Sequence, residues 1–159
     1  MEDTLILNKN LIELNEPGFN FEETIGHCVD MLIKEGLVEN IYKQQVIERE
    51  KKSPTGLKFK DITISLAHGD SVGVNKTSMV VARCVNRPEF ALMDDPNTFV
   101  RVDAVILLAV NNPNNHIHIL AKLIEALSKK EVCEIILHSE EEEEVCDVLF
   151  KELWKEKGE

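Results

Sequence analysis

Two early segments of the chain place apolar residues at helical spacing. Residues 21–35 predict an amphipathic helix that ends at Gly36, and its apolar positions are Phe21, Ile25, Cys28, Val29, Leu32 and Ile33. Residues 39–51 (ENIYKQQVIEREK) carry a weaker apolar stripe and predict a second helix. The turn-forming stretch SPTG at 53–56 ends that helix.

The middle of the chain predicts three strands. Residues 62–66 alternate between apolar and polar side chains, and residues 77–85 (TSMVVARCV) are rich in β-branched and apolar side chains. Residues 104–110 (AVILLAV) form a continuous apolar run. Such a run is typical of a central strand that is covered on both faces.

Helices are predicted for the last third of the chain. NNPNN at 111–115 indicates a turn, and an amphipathic helix follows from about His116 to Lys129. The acidic run 140–144 is interpreted as the start of a last helix, because Ser139 and Glu142 match a capping box. Apolar positions at helical spacing and basic residues at the far end support it: Val145, Val148, Leu149, Leu153, Lys151, Lys155 and Lys157.

The alternation of predicted strands and helices indicates the α/β class. We expect a mixed, mainly parallel sheet with helices on both faces. A length of 159 residues suits one domain with a sizeable core, so residues 1–159 are predicted to form a single domain.

Charge and apolar content narrow the partners and the location. The 18 basic and 29 acidic side chains give a formal net charge of −11. That field opposes nucleic acid and anionic membranes and suits a basic protein partner. The start of the chain does not resemble a signal peptide, and no apolar run approaches ~20 residues. We therefore expect a cytoplasmic protein without direct membrane insertion.

The cysteines and the missing nucleotide motifs exclude several chemistries. Cys28, Cys84, Cys133 and Cys146 are scattered with no CxxC pair, so free and mostly buried thiols are expected rather than a disulfide framework or a zinc site. The sequence lacks GxxxxGK[ST], GxGxxG after a strand and GxSxG. Nothing in it indicates ATP, a dinucleotide or serine hydrolysis.

Two histidines and one arginine are candidates for chemistry. His68 stands where a strand gives way to Gly69 and Asp70, and sites in α/β proteins cluster just beyond strand ends, although a lone histidine is more often structural. His116 lies at a predicted helix start, which favours a neutral imidazole and a bound anion. Arg49 is either a phosphate-binding fork or a surface charge.

The remaining histidines are weaker candidates for a functional role. His118 lies about 200° around the helix from His116, so the sequence HIH is a poor metal motif there. His27 and His138 fall off the apolar stripes of their helical patterns and are expected to be exposed.

Three blocks of the chain resemble the IIA component of the bacterial phosphoenolpyruvate-dependent sugar phosphotransferase system, of the fructose–mannitol type. They are EREKKSPTG at 48–56, ITISLAHGD at 62–70 and VILLAVNNPNNHIHILAKLIEAL at 105–127. The resemblance covers roughly residues 5–153, and SPTG and NNP are similar especially to the galactitol-type branch. It implies the mannitol/fructose-type IIA fold.

The central block resembles the family motif GIAIPHG, whose histidine is phosphorylated. By this resemblance His68 is the phosphorylated residue, His116 is the second histidine of the site, and Arg49 lies close to them. The motif's Gly, Ala and Pro are here Thr63, Ser65 and Ala67. Loss of the proline removes a rigid turn just before the histidine.

The resemblance implies a phosphocarrier. Phospho-HPr would donate a phosphoryl group to His68, and a cysteine on a cognate IIB component would receive it. That cysteine would pass it to a sugar or polyol handled by the membrane component IIC, and galactitol or a related polyol is expected. No cofactor and no metal are expected, and a homo-oligomer is left open. We expect the His68 ring to be exposed in a shallow depression, since a partner must reach it.

Other classes of function stay open at this point. One is a regulatory, nitrogen-type IIA-like module that binds another protein according to phosphorylation state. Another is a scaffold that has lost the chemistry, for which the altered SLAH sequence is the best support. A third is a zinc protein that uses His116, His118 and a cysteine.

Overall fold

A five-stranded sheet forms the centre of the computed structural model, which describes residues 5–154. The predicted unit of residues 1–159 extends beyond these bounds, as do Lys155 and Lys157. In spatial order the strands are β1 (Ile12–Glu16), β4 (Ser78–Cys84), β7 (Ala104–Ala109), β3 (Thr63–Ser65) and β2 (Gly56–Lys58). A separate hairpin consists of β5 (Glu89–Ala91) and β6 (Phe99–Arg101).

The sheet is mixed, as predicted. β1 pairs with β4 and β3 pairs with β7 in parallel, whereas β4–β7 and β2–β3 are antiparallel. Because β3 and β7 are parallel neighbours, their carboxyl ends reach the same edge of the sheet. The segments that follow these two strands carry His68 and His116.

Within residues 5–154, five helices cover the two faces of the sheet, which confirms the predicted α/β class. They are α1 (Phe21–Lys34), α2 (Ile41–Lys52), α3 (His116–Leu127), α4 (Lys130–His138) and α5 (Glu142–Leu153). Short 3₁₀ turns at Lys9–Leu11 and Pro113–Asn115 precede β1 and α3.

The central strand β7 is buried on both faces, as its apolar run predicted. Ile106 and Leu108 pack into a core with side chains of α3, α4 and α5, whereas Val105 and Leu107 pack into a second core with α1 and α2. Each fully buried side chain of this kind contributes roughly 1.5–3 kcal/mol. The strand therefore packs into both cores, which fixes the position of its carboxyl end at the edge of the sheet.

The ends of α1 follow known capping rules. The side chain of Asn20 accepts from the Glu23 N–H at 2.9 Å, and the Glu23 carboxylate accepts from the Phe19 N–H at 2.8 Å. At the other end Gly36 has φ +72° and its N–H donates to the Ile33 carbonyl at 2.9 Å. This is the glycine stop that the sequence predicted.

The predicted capping box of the last helix is wrong. The Ser139 hydroxyl accepts from the Glu141 N–H at 3.1 Å, and α5 begins only at Glu142. Ser139 is extended and closes α4 instead, and its carbonyl accepts from Arg83 at 2.7 Å.

The helix predicted from His116 to Lys129 ends two residues early, at Leu127, and a separate α4 follows it. Lys129 is extended, with ψ 126°, so the break comes from its backbone rather than from a glycine or proline. β1, β2 and the β5–β6 hairpin were not predicted.

Three further features of the described residues bear on function. No helix between residues 5 and 154 is both long and apolar enough to cross a membrane. All four cysteines are free and buried, as predicted. Over the same residues no three His, Cys, Asp or Glu side chains are placed to hold a metal ion, so the zinc alternative has no ligand set there.

Candidate functional site

The segment that carries His68 continues the line of β3 along β7. The Leu108 N–H donates to the Ala67 carbonyl at 2.9 Å, and His68 forms an isolated bridge with Leu108. Ala67 is fully buried. Backbone pairing therefore holds this segment where the family motif has a proline.

A hydrogen bond from the N–H of Gly69, the residue after His68, fixes the loop against α2. This N–H donates to the hydroxyl of Tyr42 at 3.1 Å, and that hydroxyl donates to the Leu108 carbonyl at 3.3 Å. One tyrosine thus joins the loop after β3 to strand β7. Burial raises the pKa of Tyr42 to about 12, so the hydroxyl keeps its hydrogen.

The side chain of Gln45 holds the loop one residue further on. Its Oε1 accepts from the Asp70 N–H at 2.6 Å, and its Nε2 donates to the Val72 carbonyl at 2.7 Å. A Cβ added at Gly69 would overlap Gln45 Oε1 and lie 3.1 Å from the Tyr42 ring. Glycine is needed here because the backbone approaches α2 so closely.

The His68 ring is buried, with 8% of the residue exposed, so the prediction of an exposed ring is wrong. The ring packs against His116 at the start of α3, a contact between distant parts of the chain that sequence periodicity cannot place. Its Nδ1 lies 2.8 Å from the Leu66 carbonyl oxygen. A carbonyl only accepts, so Nδ1 carries the hydrogen of the neutral ring and Nε2 has the free lone pair.

His116 meets His68 directly. The ring centroids are 4.5 Å apart and the planes are inclined at 69°, an edge contact. Nε2 of His116 is buried and has no hydrogen-bond partner among residues 5–154, and the same holds for Nδ2 of the neighbouring Asn115. The site thus contains polar atoms whose hydrogen-bonding capacity is unused.

The helix start at His116 differs in detail from the prediction. α3 begins at His116, but the 3₁₀ turn Pro113–Asn115 runs into it without a break in helical backbone. The Asn112 side chain caps that turn by accepting from the Asn114 N–H at 3.0 Å. The free N–H groups therefore belong mainly to the turn, and His116 projects from the first turn behind them.

Both rings are neutral at neutral pH. Burial is the main cause that lowers the pKa of His68 to about 4; the hydrogen bond to Leu66 opposes this shift, and the nearby His116 and Arg49 add to it. Burial and the Arg49 charge also lower the pKa of His116. A neutral imidazole is the nucleophilic form.

Arg49 lies on the last full turn of α2, is exposed, and acts on both rings through its charge. It lines a surface depression of about 300 Å³ together with Gln45, Glu48, Lys52 and Ser53. The structure therefore brings a guanidinium near the two histidines that the resemblance pairs with it. Such a group offsets the charge of a phosphoryl group.

Sequence reasoning missed the residues that hold the site. Tyr42 is the only tyrosine of the chain, and its place on the apolar stripe of α2 was the one available signal. Gln45 gave no signal. His27, His118 and His138 are exposed, and Nδ1 of His27 lies 2.7 Å from the buried carboxylate of Glu16.

Comparison of the sequence with known proteins identifies a family and several relatives. Residues 5–152 match the family model described as phosphoenolpyruvate-dependent sugar phosphotransferase system, EIIA 2. The galactitol-specific EIIA component of Escherichia coli K12 is 27% identical over 115 residues, 72% of this chain and 76% of that protein. The mannitol-specific EIICBA component of the same strain is 31% identical over 131 residues, 80% of this chain but only 19% of that larger protein.

Solved structures show the same fold. The complex of mannitol enzyme IIA with phosphorylated enzyme IIB from Escherichia coli aligns with a TM-score of 0.75 at 28% identity, covering 92% of this chain and 99% of that one. Crystalline mannitol IIA from Escherichia coli gives 0.71 at 29% identity, covering 91% and 99%. The nitrogen regulatory protein IIA-Ntr from Neisseria meningitidis gives 0.71 at 21% identity, covering 91% and 95%, a likeness of fold alone. The chain belongs to the type 2 EIIA family of the phosphoenolpyruvate-dependent sugar phosphotransferase system.

Proposed function

We propose that this EIIA protein accepts a phosphoryl group from phospho-HPr on Nε2 of His68. The observation that carries this proposal is the hydrogen bond from Nδ1–H to the Leu66 carbonyl, 2.8 Å long. It leaves the lone pair of Nε2 free on a ring that is neutral at cytosolic pH. The Nε2 lone pair is therefore available to react before phospho-HPr binds.

The step balances without a cofactor. The lone pair of Nε2 forms the new bond to phosphorus, and the bond between phosphorus and the donor nitrogen breaks with its electron pair returning to HPr. The phosphorylated ring keeps its hydrogen on Nδ1, so the Leu66 carbonyl then accepts from a cationic ring. Hydrogen bonds of this charge-assisted kind are worth about 1.5–3 kcal/mol.

His116 and Arg49 are proposed to stabilise the transferred group. His116 Nε2 is buried beside His68 without a hydrogen-bond partner among the described residues, so an N–H there is free to donate to a phosphoryl oxygen. Arg49 supplies a positive charge near both rings. Phosphoryl transfer depends mainly on such positioning and charge stabilisation.

The next acceptor is proposed to be a cysteine of a separate IIB component. Burial raises the pKa of every cysteine of this chain, to about 12 for Cys84 and to about 11 for Cys133 and Cys146. A thiol of that kind is a poor nucleophile at neutral pH. The relative solved in complex with a phosphorylated IIB supports this assignment.

We propose a polyol as the final recipient, with galactitol first. The galactitol-specific and mannitol-specific relatives support this class. The protein would act as one cytoplasmic domain that reaches the membrane component IIC only through IIB.

The test is phosphorylation in a purified system. The protein is incubated with phosphoenolpyruvate, enzyme I and HPr, and its intact mass is measured. We expect a gain of one phosphate, its loss in His68→Ala and its retention in the matched control His138→Ala, whose ring is exposed. ¹⁵N NMR then assigns the modified nitrogen as Nε2. A phosphate gain that persists in His68→Ala would overturn the proposal.

A further inference from the structure

Glu50 is a buried carboxylate on the helix that carries Arg49. Only 6% of the residue is exposed, although it lies near the end of α2. Burying a carboxylate is costly unless hydrogen bonds replace its water. Thr55 supplies them: its N–H donates to Oε2 at 2.9 Å and its hydroxyl donates to Oε1 at 2.7 Å.

The Thr55 hydroxyl connects this carboxylate to strand β3. It lies 2.7 Å from the hydroxyl of Ser65, the last residue of β3, which is fully buried. Because Thr55 gives its hydrogen to Glu50, it must accept the hydrogen of Ser65. The bonds therefore run in one direction, from Ser65 to Thr55 to Glu50. We call these three residues the carboxylate clamp.

The carboxylate clamp also reaches the peptide that orients His68. The Thr55 carbonyl accepts from the Leu66 N–H at 3.1 Å, and the Leu66 carbonyl accepts from Nδ1 of His68 at 2.8 Å. Thr55 therefore holds both the Ser65 side chain and the Leu66 N–H. The Leu66 carbonyl, which selects the tautomer of the His68 ring, belongs to this fixed segment of backbone.

The other end of the carboxylate clamp lies beside Arg49. Successive helix residues point about 100° apart, so Glu50 is directed to Thr55 while Arg49 remains exposed with its charge acting on both histidines. Anchoring Glu50 fixes the last turn of α2 and, with it, the backbone from which Arg49 extends.

We propose that Glu50 is a positioning residue for phosphoryl transfer, acting through Thr55 and Ser65 on the His68 tautomer and on the placement of Arg49. This inference rests on the proposed function of His68. Glu50 touches neither the phosphoryl group nor the reacting nitrogen. Its effect is to keep Nε2 free of hydrogen and to hold two groups from different elements in register.

Glu50→Gln is the main test. It keeps the side-chain shape, but its amide NH₂ replaces the oxygen that accepts from the Thr55 hydroxyl. That hydroxyl can then no longer donate to residue 50, and the direction of the bonds from Ser65 to Thr55 is lost. We expect the maximal rate of phosphorylation to fall roughly 10- to 100-fold, as small misplacements of reacting groups do. The HPr concentration for half-maximal rate should stay unchanged, because the docking surface is untouched. Glu50→Asp, which keeps the carboxylate, should recover part of the rate.

The tautomer of His68 gives a readout that general loss of stability would not move. In ¹⁵N NMR of the neutral ring we expect Nδ1–H in the parent protein and a mixture with Nε2–H in Glu50→Gln. Thr55→Val, which removes the hydroxyl at similar volume, should show the same mixture and serves if Glu50→Gln does not fold. Glu131→Gln is the matched control, since this exposed carboxylate lies on α4, outside the lining of the Arg49 depression, and should change neither readout.

The outcomes separate the two proposals. A parent-like rate and a pure Nδ1–H tautomer in folded Glu50→Gln or Thr55→Val would overturn the role of the carboxylate clamp and leave His68 as the acceptor. Phosphate gain in His68→Ala would overturn the proposed function whatever Glu50→Gln shows. A slow rate with the parent tautomer would overturn the part of the proposal that runs from Thr55 through the Leu66 carbonyl to the His68 ring.

Discussion

The rings of His68 and His116 touch edge to face, with centroids 4.5 Å apart. They come from different segments that follow the parallel strands β3 and β7. His116 Nε2 is buried without a hydrogen-bond partner in residues 5–154, and an unsatisfied buried polar group costs about 1–3 kcal/mol. In the proposed function, a phosphoryl oxygen on His68 would supply the partner that this nitrogen lacks.

The first prediction concerns His116→Ala. We expect it to accept phosphate on His68 but to transfer it onward to a purified IIB component about 10- to 100-fold more slowly, because one donor to the phosphoryl group is lost. The measurement is single-turnover transfer from the isolated phosphoprotein. His118→Ala, an exposed histidine on the same helix, should transfer at the parent rate. Equal rates for the two variants would argue against a role for His116.

The second prediction concerns acid stability. The pKa of His68 is about 4 in the folded protein and 6.5 in the unfolded chain. As the pH falls from 6.5 towards 4, the unfolded chain therefore binds a proton that the folded protein refuses, and the free energy of unfolding decreases. The decrease between pH 7 and pH 5 is about 2 kcal/mol for this ring.

Urea unfolding of the parent and of His68→Gln at pH 7 and pH 5 measures this contribution. The parent should lose about 2 kcal/mol more than the variant over that interval. The lowered pKa of His116 acts in the same direction in both proteins and cancels in the comparison to first order. A parent whose stability falls no more steeply than that of His68→Gln would contradict the buried neutral ring.

The third prediction concerns two glycines. Gly69→Ala should lower the free energy of unfolding by roughly 1–3 kcal/mol and slow phosphorylation, since its Cβ would meet Gln45 Oε1 and displace the loop from α2. Gly26→Ala in α1 meets only Lys43 Cδ at 3.9 Å and should raise stability by roughly 0.5–1 kcal/mol. Urea midpoints check both signs. Adding Gln45→Ala to Gly69→Ala should recover part of the lost stability. A Gly69→Ala variant as stable as the parent would show that the backbone at Gly69 does not approach α2 so closely.

The fourth prediction concerns Arg49→Gln. Removing this positive charge should raise the pKa of His68 and that of His116, since the charge now disfavours their protonated forms. NMR titration of the two rings measures the direction of both changes. Lys52→Gln, a neighbouring cation in the same depression, serves as the control and should leave the His68 titration in place. An unchanged titration in Arg49→Gln would separate Arg49 from the site.

The sequence predicts most of the layered fold because its strongest signals lie in the most buried elements. The apolar run at 104–110 predicted β7, and the helical stripe at 21–35 predicted α1 with its stop at Gly36. β1 was missed although IELNE begins with the alternation typical of a strand, because the segment is only 5 residues long and ends in two polar residues. The break between α3 and α4 was missed because the extended Lys129 gives no compositional signal.

The site was predictable only in its leading residues. Motif resemblance selected His68, His116 and Arg49, and the structure brings the two rings together with the arginine's charge acting on both. Their catalytic roles stay predictions. The burial of His68 and the hydrogen bonds of Tyr42 depend on how α2 and α3 pack against the sheet, and sequence spacing carries no information on such long-range contacts.

The parallel pairing of β3 with β7 has a consequence for folding. Neighbours of this kind cannot form through a short turn, and here the intervening chain includes β4 and the β5–β6 hairpin. Contacts between residues so far apart in the chain form late and slowly. A partly folded chain would hold His68 without its bridge to Leu108 and without its His116 neighbour. If His68 is the residue that accepts the phosphoryl group, as proposed, its modification would report only on molecules that have completed the sheet.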